Sequence, residues 1–233
     1  MDAAAHRAWI DARDRAVWGR HGLAALAATH WLDDRERECD GVPGVWRTDG
    51  AAAIGRVDGA VLRLAPGDEA HHGDVLLRGF AREGAIAVRA YDPAVLRPGA
   101  RIERAAYDPR HRVTGVFRTA ATSEPAVAVD GHRTSDDFDG TVAFTLDGHP
   151  LELTVQRGAK GLTARFADAT SGVESFRFRF LRLPRPSADG SVEVDLNRAY
   201  LPPCAFSDHY VCLLPPAGNR WTVPVPVGEL RVV

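Results

Sequence analysis

At 233 residues, with 45% hydrophobic and 26% charged residues, the chain has an ordinary globular make-up and suits one large all-β domain or two modest lobes. A formal net charge of −2 creates no field to gather nucleic acid or an anionic membrane, and no apolar run approaches the about 18 residues of a membrane helix. Three cysteines, and a first stretch MDAAAHRAWIDARDRAVWGRHG with charges throughout and no apolar secretory core, give the expectation of reduced thiols in a cytoplasm.

Residues 3–20 fit one amphipathic helix. Asp2 is placed to cap it, Arg7, Asp11 and Arg15 lie at i,i+4 spacing on a solvated face, and Trp9, Ile10, Ala16 and Val17 form the apolar stripe. LAALAATHWL (23–32) has helical composition but stands where a first strand belongs, before the turn-rich DDRERECDGVPG. Short β segments follow, cut by Gly, Pro and Asp: AVLRLAP (60–66), DVLLRGF (74–80), AIAVRAY (85–91), RHRVTGVFR (110–118) and AVAVDG (126–131). In AIAVRAY, Ile86, Val88 and Ala90 share the face that should be buried. TAATSEP (119–125) carries the turn composition of a boundary, dividing 1–125 from 126–233. TVAFTLDGHPLELTVQ (141–156) reads as a hairpin: Val142, Phe144 and Leu146 alternate, Asp147-Gly148 turns, and Leu151, Leu153 and Val155 alternate back.

Further on, SFRFRFLR (175–182) sets Phe176, Phe178 and Phe180 on one strand face and Arg177 and Arg179 on the other. SVEVDLN (191–197) sets Val192, Val194 and Leu196 against Glu193, Asp195 and Asn197, and PRPSADG lies between the two strands. Paired as a hairpin with apolar faces matched, they oppose Arg179 to Asp195 and Arg177 to Asn197. That polar face is either a solvated surface with a weak ion pair or the lining of a cleft holding a polar ligand.

The chain then reads DLNRAYLPPCAFSDHYVC (195–212). Cys204 and Cys212 with His209 between them do not have a zinc-site spacing, so no metal is expected; the cysteines read as buried loop packing or as a bonded or reactive pair. Ser207, Asp208 and His209 are adjacent and cannot hydrogen-bond as a triad, while a Cys204 nucleophile assisted by His209 needs the loop to bring them together. No nucleotide-binding glycine motif is present, and His71-His72 and Asp136, Asp137 and Asp139 sit in loop-like sequence that reads as solvated. Pro202-Pro203 and Pro215-Pro216 stiffen the loop, with Tyr200 before it and Asn219-Arg220 after.

DLNRAYLPPCAF, the second cysteine, LPPAGNR and a final VGE together resemble the C-terminal signature of an uncharacterised bacterial family, domain of unknown function 1684. FADATSGVESF (166–176) and Arg179-Phe180-Leu181 resemble its preceding motif, so the resemblance runs most strongly over about residues 140–229. It carries over Asp168, Thr170, Gly172, Glu174, Arg179, Asp195, Asn197, Arg198, Tyr200, Pro202, Pro203, Cys204, Cys212, Asn219, Arg220 and Glu229. Phe176 stands where the family has tyrosine, Leu201 where it has asparagine and Leu213 where it has proline, and His209 has no counterpart. The family implies no activity, but the resemblance puts Arg179, Asp195, Asn197, Tyr200 and Cys204 in one motif set; Asp168 and Thr170, in a turn just before the Phe-rich strand, are expected near the same end of the sheet.

The expectation is therefore a mainly β protein, an antiparallel sandwich or barrel in two packed halves with an N-terminal α-helix. Its function is expected to be binding of a small polar or anionic molecule by Arg179, Asp195, Asn197, Tyr200, Thr170 and Arg220, with no cofactor. The alternatives are a hydrolase with Asp168, Asp195 or Cys204 as the catalytic group, and a purely structural role for the motif.

Overall fold

The computed structural model describes residues 3–233; the Asp2 cap lies outside them. The chain is mainly β and divides into two compact units. The first comprises residues up to Pro98 together with Phe206–Tyr210, and the second comprises Gly99–Ala205 and Val211–Val233.

In the first unit, helix α1 (Ala3–Trp18) ends where Gly19 N–H bonds the Arg15 carbonyl. Val17 is its buried anchor, Trp9 and Ile10 are half-buried, and Ala16 is exposed. The ambiguous stretch resolves into a single 3-10 turn, Leu23–Ala25, followed by strand β1 (Leu26–Trp31). Strands β2 (Arg37–Cys39), β3 (Val42–Thr48), β4 (Ala53–Val57) and β5 (Ala60–Leu64) make one antiparallel meander. With β6 (Glu69–His72), β7 (Val75–Arg82) and β8 (Ala85–Tyr91), β1 makes a second sheet in the order β1-β8-β7-β6. Trp46, fully buried, lies at the centre of the shared core with Leu77, Val88 and Ala90. Opposite it Gly55 is required, since a Cβ there would come within 2.5–2.6 Å of the Trp46 ring. The expected one-sided burial of β8 is wrong: Ala87, Arg89 and Tyr91 are buried as well. Arg89 is accommodated by stacking over Phe80 at 3.5 Å and donating to Thr29 Oγ1 at 3.2 Å.

The second unit is built on a six-stranded antiparallel sheet. Its strands are β10 (Arg112–Val127), β11 (Arg133–Leu146), β12 (His149–Gly158), β13 (Gly161–Phe166), β14 (Arg179–Leu183) and β15 (Ser191–Asp195), following the short β9 (Ile102–Arg104). The order is β14-β13-β12-β11-β10-β15, while β9 pairs with the last strand, β16 (Glu229–Val232). The β11–β12 hairpin has the expected register, Phe144 opposite Leu151 and Val142 opposite Leu153, turning at Asp147 (φ 48°) and Gly148 (φ 82°). TAATSEP is strand, not linker. It lies inside β10, where the register slips between Thr119 and Thr122, so its turn-like composition accommodates a β-bulge.

The expected hairpin between the Phe-rich strand and SVEVDLN does not form. β14 pairs with β13 and β15 pairs with β10, at opposite ends of the sheet. β14 instead bridges to Tyr200, beyond the end of β15, with Phe180 N–H to the Tyr200 carbonyl at 2.8 Å and Tyr200 N–H to the Phe180 carbonyl at 2.9 Å. The phase of β14 is also reversed. Arg179, Leu181 and Leu183 point into the core, and Phe180 is only half-buried. Register decides this, because Leu183, Leu181 and Arg179 lie opposite the buried Leu162, Ala164 and Phe166 of β13.

Candidate functional site

The residues of the C-terminal motif separate into three places. The first is a buried charge cluster. Arg179 is 0% exposed, and its Nη2 donates to Asp168 Oδ2 at 2.6 Å and to the Val225 carbonyl at 2.7 Å. Nη1 donates to the Val227 carbonyl at 2.5 Å, the guanidinium lies over the Phe166 ring at 5.2 Å, and only Nε lacks a partner. Burial pulls the Arg179 pKa below the usual arginine value, opposed by the charge and hydrogen bond of Asp168.

Asp168 accepts from Thr170 N–H at 2.8 Å, Thr170 Oγ1 at 2.7 Å and Val225 N–H at 3.1 Å as well as from the arginine. Thr170 Oγ1 is also 2.8 Å from Ser175 Oγ. This is a closed network: the carboxylate is saturated, and the cation is spent on one anion and on backbone carbonyls.

The second place is the end of β15. Asn197 Oδ1 accepts Asp108 N–H at 2.8 Å, and its Nδ2 donates to the Asp108 carbonyl at 3.0 Å and to Asp195 Oδ1 at 3.0 Å. Asp195 also caps the following turn by accepting Asn197 N–H at 3.2 Å, while its buried Oδ2 makes no hydrogen bond. Arg198 Nε lies 3.8 Å from that oxygen. Close by in the chain, His111 is 3% exposed with its Nδ1 3.3 Å from Asp108 Oδ2. Two hydrogen bonds from Arg110 hold Asp108 down at a pKa of about 2. The expected Arg179–Asp195 and Arg177–Asn197 pairs are absent because the strands that carry them are not neighbours.

The third is the proline loop. Asn219 is 0% exposed and acts as a strut. It accepts Thr154 N–H at 2.7 Å and donates to the carbonyls of Thr154 and Arg165, both at 2.8 Å. Glu229, also fully buried, accepts Leu201 N–H at 2.8 Å and pairs with Arg104 at 3.1 Å. Tyr200 packs edge-on against Phe180, with ring centroids 5.7 Å apart. Ser207 donates to the Leu26 carbonyl at 2.7 Å and accepts His209 N–H at 3.2 Å, a local turn rather than part of a triad.

Two clefts open on the second unit, and neither is lined by Arg179, Asp195, Asn197 or Tyr200. The larger, about 600 Å³, is walled by Phe117, Thr119, Arg157, Gly158, Gly161, Leu162 and residues 185–190. The smaller, about 240 Å³, holds Arg220, Glu124 and Asp136 beside Pro215-Pro216. Asp136 was expected to be solvated, but it is buried. It is ion-paired with the half-buried Arg165 and accepts from Gln156 at 2.9 Å. Sequence reasoning missed Arg157 and Arg185; their only signal was a cation at each end of strands flanked by glycine and proline.

A family model described as "Protein of unknown function (DUF1684)" matches residues 100–230, more than the motifs alone carried. The chain belongs to DUF1684. A solution NMR structure of an uncharacterized protein from Haloarcula marismortui is similar to this DUF1684 protein at 30% identity, covering 55% of this chain and 75% of that one, with a TM-score of 0.44. No curated protein matches it.

Proposed function

We propose that this DUF1684 protein binds a small anionic molecule, a carboxylate or phosphate ester, in the larger cleft. One observation carries the reading: Arg157 and Arg185 both line that cleft, and neither makes an ion pair among the described residues. Arg157 stacks over Phe117 at 4.8 Å and reaches Thr119 Oγ1 at 3.4 Å; the Asp139 carboxylate takes its backbone N–H rather than its guanidinium. Arg185 gives one donor to the Ala159 carbonyl at 2.6 Å. Each guanidinium keeps donors in a planar fork suited to a two-oxygen anion. The hydroxyls of Thr119 and Ser187 line the cleft as well, with Phe117 and Leu162 as apolar walls.

The net charge of −2 favours a small anion over nucleic acid as the partner, and three unbridged thiols fit a cytoplasmic location. The test is a thermal-shift and calorimetric screen with phosphorylated and polycarboxylate metabolites. A ligand found this way loses binding in Arg157→Ala and Arg185→Ala proteins whose circular dichroism is unchanged. Binding that survives in the double variant contradicts the reading.

A hydrolytic reading keeps one specific support, the buried Asp195 Oδ2 without a hydrogen bond, on a residue paired with Arg112, the neighbour in the chain of the buried His111. It requires ester or phosphoester hydrolysis that Asp195→Asn abolishes while the fold persists, and activity retained in that variant rejects it.

A further inference from the structure

We propose that the smaller cleft is a second binding site, one that takes a zwitterion: a free α-amino acid with an apolar side chain. The anionic side of the site comes from the sheet. Glu124 of β10 lies directly opposite Asp136 of β11, so two acids are cross-strand neighbours on one face. Only one of them is neutralised. Asp136 is ion-paired with Arg165 and accepts from Gln156 Nε2 at 2.9 Å, while Arg165 Nη1 donates to Gln156 Oε1 at 3.3 Å. Glu124 is half-buried where it lines the cleft, and its carboxylate has no hydrogen bond or ion pair among the described residues.

The cationic side comes from the proline loop, which the fold holds at several points. Leu214 N–H bonds the Val127 carbonyl at 2.9 Å, and Asn219 is tied to β12 and β13 by its side chain. Arg220 follows that strut. Its own N–H bonds the Ala217 carbonyl at 3.2 Å, and Trp221 N–H bonds the Ala167 carbonyl at 2.8 Å. The backbone at Arg220 is thus fixed, and its guanidinium makes no ion pair among the described residues.

An acid and a base, not paired with each other, therefore border one space of about 240 Å³. A simple anion would leave Glu124 uncompensated, and a simple cation would leave Arg220 so. A zwitterion answers both charges: its carboxylate fits the guanidinium fork, and its ammonium donates to Glu124. A quaternary ammonium would call for an aromatic cage, whereas Phe138 is the one ring among the described residues lining the cleft. Phe138 with Val127, Leu214 and Pro215 instead gives an apolar wall for a side chain. The space falls below the about 300–1,000 Å³ of pockets for drug-sized ligands, which suits one amino acid better than a peptide.

The experiment titrates the folded full chain with L-leucine, N-acetyl-L-leucine and L-leucinamide in a calorimeter. Saturable binding of leucine is expected, weakened about tenfold or more when either ligand charge is removed. Glu124→Gln should bring leucine down to the affinity of N-acetyl-leucine, and Arg220→Gln should bring it down to that of leucinamide. Neither side chain pairs within the fold, so both variants should keep the wild-type circular dichroism. No saturable binding of leucine, valine, isoleucine or phenylalanine overturns the proposal. So does equal affinity for leucine and N-acetyl-leucine, or a loss caused by only one of the two substitutions. The ligand series on the wild-type chain decides the matter even if a variant folds poorly.

Discussion

Replacing Asp168 by Asn keeps the size of the side chain and most of its hydrogen-bond geometry but removes the one charge that pairs with Arg179 among the described residues. The guanidinium is 0% exposed and holds the carboxylate at 2.6 Å. Removing one partner of a buried pair leaves the other charge uncompensated and costs about 3–5 kcal/mol. That is a large share of the about 5–15 kcal/mol that holds a domain folded. Arg179→Met strands the carbonyls of Val225 and Val227 and the Asp168 charge, at a similar cost.

The double variant should be less damaged than the sum of the singles by about 2 kcal/mol, because neither charge is left alone. Urea unfolding followed by circular dichroism and by tryptophan fluorescence measures these values. Trp221 is a local reporter, stacked on Phe166 at 5.1 Å beside the pair. A ligand-binding role for Arg179 would instead leave the unfolding free energy of Asp168→Asn within about 0.5 kcal/mol of wild type. That result, or additive singles, refutes the structural account of the cluster.

Asn219→Ala removes three hydrogen bonds to the backbone of β12 and β13 and should cost about 2–4 kcal/mol in the same urea experiment; a loss under about 0.5 kcal/mol would mean the strut is dispensable. Gly161→Ala places a Cβ at 2.1 Å from the Leu183 carbonyl oxygen at φ 144°, so the β13–β14 hairpin must distort; an unchanged melting temperature would contradict that geometry. Asp108, with its pKa lowered to about 2, contributes stability that is complete above the ordinary carboxylate range and lost as pH falls through about 2. Melting curves between those limits should therefore fall less steeply for Asp108→Asn than for wild type, and identical slopes would argue against the Arg110 contact.

Where alternation and a turn signal occurred together, as in the Asp147-Gly148 hairpin and β8, the strands were legible in the sequence. Alternation gives faces but not partners. PRPSADG connects two strands that lie at opposite ends of the sheet, so the inferred Arg179–Asp195 neighbourhood had no basis in the fold. Arg179 read as a surface or lumen residue because what makes its burial tolerable lies far along the chain. The carbonyls of Val225 and Val227 that solvate it are 46 and 48 residues away. Asn197, expected in the polar face, bonds the backbone of Asp108, and the motif residues Asn219 and Glu229 likewise bond backbone groups far along the chain. The cleft arginines went unnoticed because Arg185 sits in PRPSADG, which reads only as a turn, and Arg157 follows a hairpin strand with no binding motif around it.

Calorimetric titration of wild-type and Arg157→Ala/Arg185→Ala proteins with the strongest anionic hit of the metabolite screen tests the central claim most directly. The account predicts saturable binding to wild type that is lost in the double variant and retained in Arg220→Ala. Binding that is indifferent to Arg157 and Arg185 but lost with Arg220 would place the ligand in the smaller cleft and contradict it.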